Sequence, residues 1–146
     1  MNPKDKSIIN ILLENSRLSA REIAKKANIS VVTVIKKMKE MEKEGIIKSY
    51  VAELDYEKLG YDVQAIINLR ISKGKLFEIE KKIATIPNVS AVYDSTGDFD
   101  CLIIAKFKSR KGLDNFLKKV QTFDFVERTK TKLILNTIKE ERIKIS

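Results

Sequence analysis

Residues 19–45 read SAREIAKKANISVVTVIKKMKEMEKEG, and two helix starts lie within them. Ser19 followed by Glu22 is a capping box: the serine oxygen takes an orphan amide of the first turn and the glutamate reaches back to the cap. Ile23, Ala24 and Ala27 then form an apolar face, and Asn28, which tolerates a left-handed turn, stops the helix. Ser30 starts the next helix, in which Val31, Val34, Met38 and Met41 recur at helical spacing until Gly45. Two short helices joined this tightly predict a helix-turn-helix unit. Upstream, Asn2-Pro3-Lys4-Asp5 predicts the start of a first helix, with an Asn cap, a proline at the first position and an acid in the first turn. Ile8, Ile11 and Leu12 line its apolar stripe, widened by Ile9 and Leu13.

The outward face of the third helix indicates what the unit touches. With Val34 taken as the core direction, Val31, Met38 and Met41 fall within about 60° of it at 100° per residue. Val32, Lys36, Lys39 and Lys43 fall on the opposite side, flanked by Thr33 and Glu40. A recognition helix enters the major groove by its N-terminal end. Val32 and Thr33 are therefore expected near base edges, where a methyl can meet a thymine methyl, and Ser30 is expected among the DNA-binding residues. Lys36, Lys37 and Lys39 are expected on phosphates or guanine, and Lys25 and Lys26, near the end of the second helix, on the DNA backbone. A lone basic helix is usually just a solvated face. Here the helix spacing and the cap signals coincide with it, which favours double-stranded DNA.

Composition agrees. The 146 residues, 43% hydrophobic and 34% charged, suit one compact domain or two small ones. The longest uncharged stretch, Ile83–Tyr93, is 11 residues and holds Pro87, too short for a membrane span. Met1 leads straight into charge, so no secretory leader is expected. Cys101 is the single cysteine, and a reducing, cytoplasmic compartment is the default. No histidine is present, which excludes the usual general base, Ser–His and Cys–His nucleophiles and most zinc sites. No enzyme activity, metal or cofactor is expected. The net charge of +9 includes +5 over residues 15–50, and such a balance favours polyanions.

After Gly45 the pattern changes. Ile46–Leu54, rich in β-branched residues, predicts a strand, and residues 55–62 a polar connection. Strands are expected at Val63–Ile71, Val89–Ser95, Cys101–Phe107 and Phe125–Asn136, the last with Val126, Arg128, Lys130 and Lys132 on one side. Helices are expected over Lys75–Ile86 and around Leu113, Phe116 and Val120. A shift of 37 residues matches the two halves: Leu76 meets Leu113, Ile79 meets Phe116, Ile83 meets Val120, and Thr85 meets Thr122. Two strand–helix–strand halves give βαββαβ, a ferredoxin-like sheet with helices on one face. The fold class is thus α+β: a three-helix DNA-binding domain at residues 1–50, a strand linker at 51–62 and a ferredoxin-like domain at 63–146. Val92, Ile103, Ile104 and Leu133–Leu135 offer more apolar side chains than one small core needs. Sheet-to-sheet dimerisation is therefore expected, which also suits the reading of two half-sites.

The order of these pieces resembles the Lrp/AsnC, or feast/famine, family of prokaryotic regulators over essentially the whole chain. The carriers are residues 5–12 (DKSIINIL) and 15–19 (NSRLS), then Glu22-Ile23-Ala24, Thr33-Val34 and residues 42–47 (EKEGII). Gly97-Asp98-Phe99-Asp100 and residues 126–131 (VERTKT) follow. The resemblance implies a helix-turn-helix domain joined to a ligand-sensing domain called RAM. It implies dimers that assemble further, and transcriptional control by a small molecule, often an amino acid. It also implies an effector site at Gly97, Asp98, Asp100, Thr129 and Thr131, completed by another subunit. Free amides at the Gly turn suit a carboxylate, and the Asp carboxylates suit an ammonium group. The same residues equally suit a β-turn and an ordinary strand. The family often has Arg where this chain has Lys37, and Lys cannot make the planar bidentate contact, so Lys37 moves to a phosphate role. Three other readings stay open: a low-specificity DNA-architectural protein, a metabolite-binding module with a vestigial DNA domain, and a relative of sirohaem decarboxylases, which would want the missing histidine.

Overall fold

The computed structural model describes residues 1–72 and 74–146. It divides into two compact units, Met1–Glu53 with Lys139–Ser146, and Leu54–Ile138. The division modifies the expected ranges, because the last eight residues lie with the first unit rather than with the sheet.

The first unit holds α1 (Pro3–Glu14), α2 (Ala20–Ala27) and α3 (Val31–Lys43). Capping boxes form at Asn2/Asp5 and at Ser19/Glu22, each satisfying two amides that the helix itself leaves unpaired. Asn28 adopts the left-handed conformation (φ 54°, ψ 49°) and so reverses the chain in one residue. Ile8, Ile23, Ala24, Val34 and Met41 are buried together, with Leu12, Leu18, Ile29 and Met38 packed around them. The tail returns to α1 through the Asn10 side chain, which donates to Ile145 O (2.9 Å) and accepts from Ile145 N (2.8 Å).

The second unit holds β1 (Val63–Ile71), α4 (Leu76–Ala84), β2 (Val89–Asp94), β3 (Cys101–Phe107), α5 (Arg110–Gln121) and β4 (Val126–Leu133). The four strands form one antiparallel sheet in the order β2-β3-β1-β4, the ferredoxin-like arrangement that the repeat predicts. Ala65, Ile67, Leu69 and Ile71 of β1 and Cys101, Ile103, Ala105 and Phe107 of β3 face the helices. They pack on Ile79 and Ile83 of α4 and on Leu113, Phe116 and Val120 of α5. The repeat extends to the helix ends: Thr85 Oγ1 donates to Lys82 O at 2.7 Å, and Thr122 Oγ1 to Lys119 O at 2.6 Å.

Several expectations are corrected. Among the described residues of one chain no strand forms over Ile46–Leu54: a strand exists only by pairing, and the sheet here joins β1 to β4. Val92 and Ile103 lie on the helix side, in register with each other, and not on the open face. That face carries Ala91, Tyr93, Leu102, Ile104 and Ile66, with Arg128, Lys130 and Lys132 along β4. Val126 does not share the side of those three basic residues, because the β1–β4 register shifts between Arg70 and Ile71. β4 ends at Leu133 rather than Asn136.

Candidate DNA and effector sites

The first candidate site is the outward face of α3. Ser30 caps the helix: its Oγ accepts from Thr33 N at 3.1 Å and shares a 2.7 Å hydrogen bond with Thr33 Oγ1. Both hydroxyls are thus engaged in holding the first turn. Val32 is 76% exposed and Ile35 43%, and Lys36 and Lys39 are exposed one turn further on. Lys25 and Lys26 are exposed in the last turn of α2, where cations also complement the helix dipole.

Lys37 is a correction. Its Nζ lies 2.7 Å from Asp5 Oδ1, and the two side chains are only 15% and 17% exposed. The hydrogen bond from Lys37, aided by the Asn2 amide, holds the Asp5 carboxyl below its ordinary range. Lys37 therefore ties α3 to α1 instead of pointing at a partner. Its position on the helical wheel, about 60° from Val34, already gives the reason. Ile35 was absent from the expected set. Its wheel position, about 100° from Val34, is the signal that could have found it.

The second candidate site surrounds the loop from Ser95 to Asp100, between β2 and β3. Gly97 has φ +102°, a conformation L side chains rarely adopt. The loop is held on several sides. Ser95 N donates to Asp100 O (2.8 Å), Ser95 Oγ to Phe99 O (2.9 Å) and Asp100 N to Leu69 O (2.9 Å). Ile71 N donates to Asp100 Oδ2 (3.0 Å), and Arg70 Nη1 to Asp98 O (2.8 Å). The Arg128 guanidinium sits 5.4 Å from the Phe99 ring centre. Leu69 pairs with Cys101 on one side and with Thr129 on the other, and Thr131 pairs with Ile67. Gly97, Asp98, Asp100 and Thr129 therefore lie toward one end of the sheet, whereas Thr131 stands opposite the middle of β1, and both threonines pair with helix-side residues. One Asp100 oxygen is committed to the backbone, while Asp98 is exposed.

Two cavities among the described residues are lined by other side chains. One, of about 340 Å³, is bounded by Asn2, Asp5, Glu40, Met41 and Glu44. The other, of about 480 Å³, is bounded by Lys81, Lys82, Thr85, Lys119 and Phe123. Beneath the loop lies a group that the sequence did not single out. Glu80 of α4 has a buried Oε2 without a donor. Burial first, and the neighbouring Asp94 carboxylate second, push its pKa up to about 7. Burial, with Glu80 beside it, pushes the Cys101 thiol up to about 12.

Comparison with known proteins assigns both domains. Residues 1–48 match the winged helix-turn-helix DNA-binding family, and residues 64–143 match the Lrp/AsnC ligand binding domain. The chain belongs to the Lrp/AsnC family. An uncharacterised helix-turn-helix-type transcriptional regulator of Pyrococcus furiosus is 44% identical over 137 residues, 94% of this chain and 93% of the relative. The structure of Escherichia coli AsnC superposes with a TM-score of 0.92 at 26% identity, covering 99% of each chain. A Neisseria meningitidis transcriptional regulator in complex with L-methionine superposes with a TM-score of 0.90 at 25% identity, covering 97% of this chain and 94% of that one. This Lrp/AsnC protein is accordingly a DNA-binding transcriptional regulator modulated by an effector. Among the described residues, no helix is long and apolar enough to cross a membrane.

Proposed function

We propose that this chain is a cytoplasmic, sequence-specific regulator that acts as a dimer or an assembly of dimers and responds to a small molecule such as an amino acid. The observation that carries the reading is the outward face of α3, where Val32, Lys36 and Lys39 stand in solvent while Val34 and Met41 are buried beneath them. Lys25, Lys26, Lys36 and Lys39 contact phosphates. Ser30 and Thr33 hold the turn that enters the groove, and Val32 reaches the base edges. Lys37 drops out of this set.

For the effector, the support is the ligand-binding domain and the solved neighbour holding L-methionine. Asp98 takes the ammonium group, the amides around Gly97 take the carboxylate, and Thr129 and Thr131 bond either. A second copy completes the site, as the family resemblance implies. The same copy covers the open sheet face of Ile66, Leu102 and Ile104.

Charge reversal at Lys36 abolishes binding if the reading is right; unchanged affinity for operator DNA at moderate salt overturns it. Calorimetric titration with the twenty amino acids tests the effector, and silence across the set removes the amino-acid assignment. The lysine-dominated contact face also favours a second reading, low-specificity DNA compaction. Competition against random DNA with a specificity ratio near one would establish that reading instead.

A further inference from the structure

We infer that this regulator discriminates its sites through thymine C5-methyl groups contacted by Val32 and Ile35, with its exposed lysines confined to phosphates. The inference rests on the DNA-binding reading above and specifies its chemistry. From Val31 to Lys43, α3 contains no Arg, Asn or Gln, the side chains whose planar groups bond guanine or adenine in a fixed fork. The polar groups at its entering end are already used. Ser30 and Thr33 bond each other, and Ser30 also caps the helix. Lys37 is held by Asp5. Further along, Glu42 accepts from the Tyr50 hydroxyl at 2.7 Å.

What remains free at the entering end is apolar, with Lys36 and Lys39 exposed one turn further along. Val32 and Ile35 stand three residues apart and so are surface neighbours on the helix. Lys36 and Lys39 lie four residues beyond each of them, one turn further from the entering end. Folding alone gives little reason for this pair. At 76% exposure Val32 buries little, Ile35 at 43% still leaves a large apolar area in solvent, and β-branched side chains are poorer helix formers than the alanine or lysine usual at such positions. The same branching makes them stiff about χ1, so they can hold methyls against a partner with small entropy loss. On the major-groove edge of DNA the thymine methyl is the apolar group available to meet them, and cytosine lacks it.

The test uses the full chain. Sites are first enriched from a pool of random-sequence duplexes, and each thymine of the enriched site is then replaced singly by deoxyuridine, which removes only the methyl. The expected result is a loss of about fourfold at each contacted thymine, the worth of one buried methyl group. Val32→Ala or Ile35→Ala should abolish that loss at the thymine each contacts while the protein stays folded, since both positions are exposed. Lys36→Ala should weaken thymine and uracil duplexes alike. Equal affinity for thymine and uracil duplexes across the site overturns the methyl inference but leaves DNA binding standing. Undiminished thymine–uracil discrimination in both alanine variants also overturns the assignment to Val32 and Ile35, since another group then meets the methyl. Failure to enrich any duplex overturns both.

Discussion

At the scale of single residues, neighbouring lysines on one helix have opposite uses. Lys36 stands in solvent, whereas Lys37 is tied to Asp5. Lys37→Met should lower stability by about 1.5–3 kcal/mol, the worth of a hydrogen bond to a charged group. It should leave the slope of log affinity against log salt unchanged. Lys36→Ala should do the reverse: stability within about 0.5 kcal/mol of wild type, and a slope reduced by about one. Denaturant melts and salt titrations of both variants check this. Glu80 supplies a pH prediction. Its folded pKa, raised from 4.5 to about 7, means that between those values the folded chain keeps a proton the unfolded chain has released. The stability linked to this group is therefore full below 4.5 and is lost as pH rises through 7. Glu80→Gln should flatten that part of the profile of melting temperature against pH; an unaltered slope would remove the assignment. Neither role was visible in composition. Lys37 needed α1 beside it, and Glu80 needed Asp94 brought next to it by the end of β2.

At the scale of elements, the caps and the repeat were legible because they are local. The bonds that Ser19, Glu22 and Ser30 make are within three residues of each. Asn28 likewise carries its own signal. Asn28→Gly should leave stability within about 0.5 kcal/mol, whereas Asn28→Ala should cost about 1 kcal/mol, because its φ of 54° is strained for a residue with a Cβ and no local side-chain acceptor. Chemical melts of the two variants decide the matter. The sides of β4 were less legible. Val126 reads as sharing a side with Arg128, Lys130 and Lys132, yet the register shift opposite Arg70 and Ile71 turns it to the helices. That shift belongs to the pairing with β1, so β4's own residues could not reveal it. Val92 was misplaced for the same reason, since an irregularity between Val89 and Ala91 reverses the alternation of β2.

At the scale of the molecule, the open sheet face and the effector loop depend on the proposed second copy. Ile104→Lys places a charge in the middle of that face, at a position outside the helix-packed core. Sedimentation should show a folded monomer with weakened DNA binding; an unchanged dimer would place the interface elsewhere. The sequence alone determined what local bonds and periodicity determine: three capped helices, the βαββαβ repeat, the basic outward face of α3 and the family. Tertiary structure decided which polar groups remain free. It committed Lys37 to Asp5 and one Asp100 oxygen to Ile71, left Ile46–Leu54 without a strand to pair with, and returned the tail to Asn10. The physical reason is common to all four. A hydrogen-bonding group spends its capacity on whatever the fold brings within about 3 Å, and distance in space between residues far apart in the chain is not written in either one's identity.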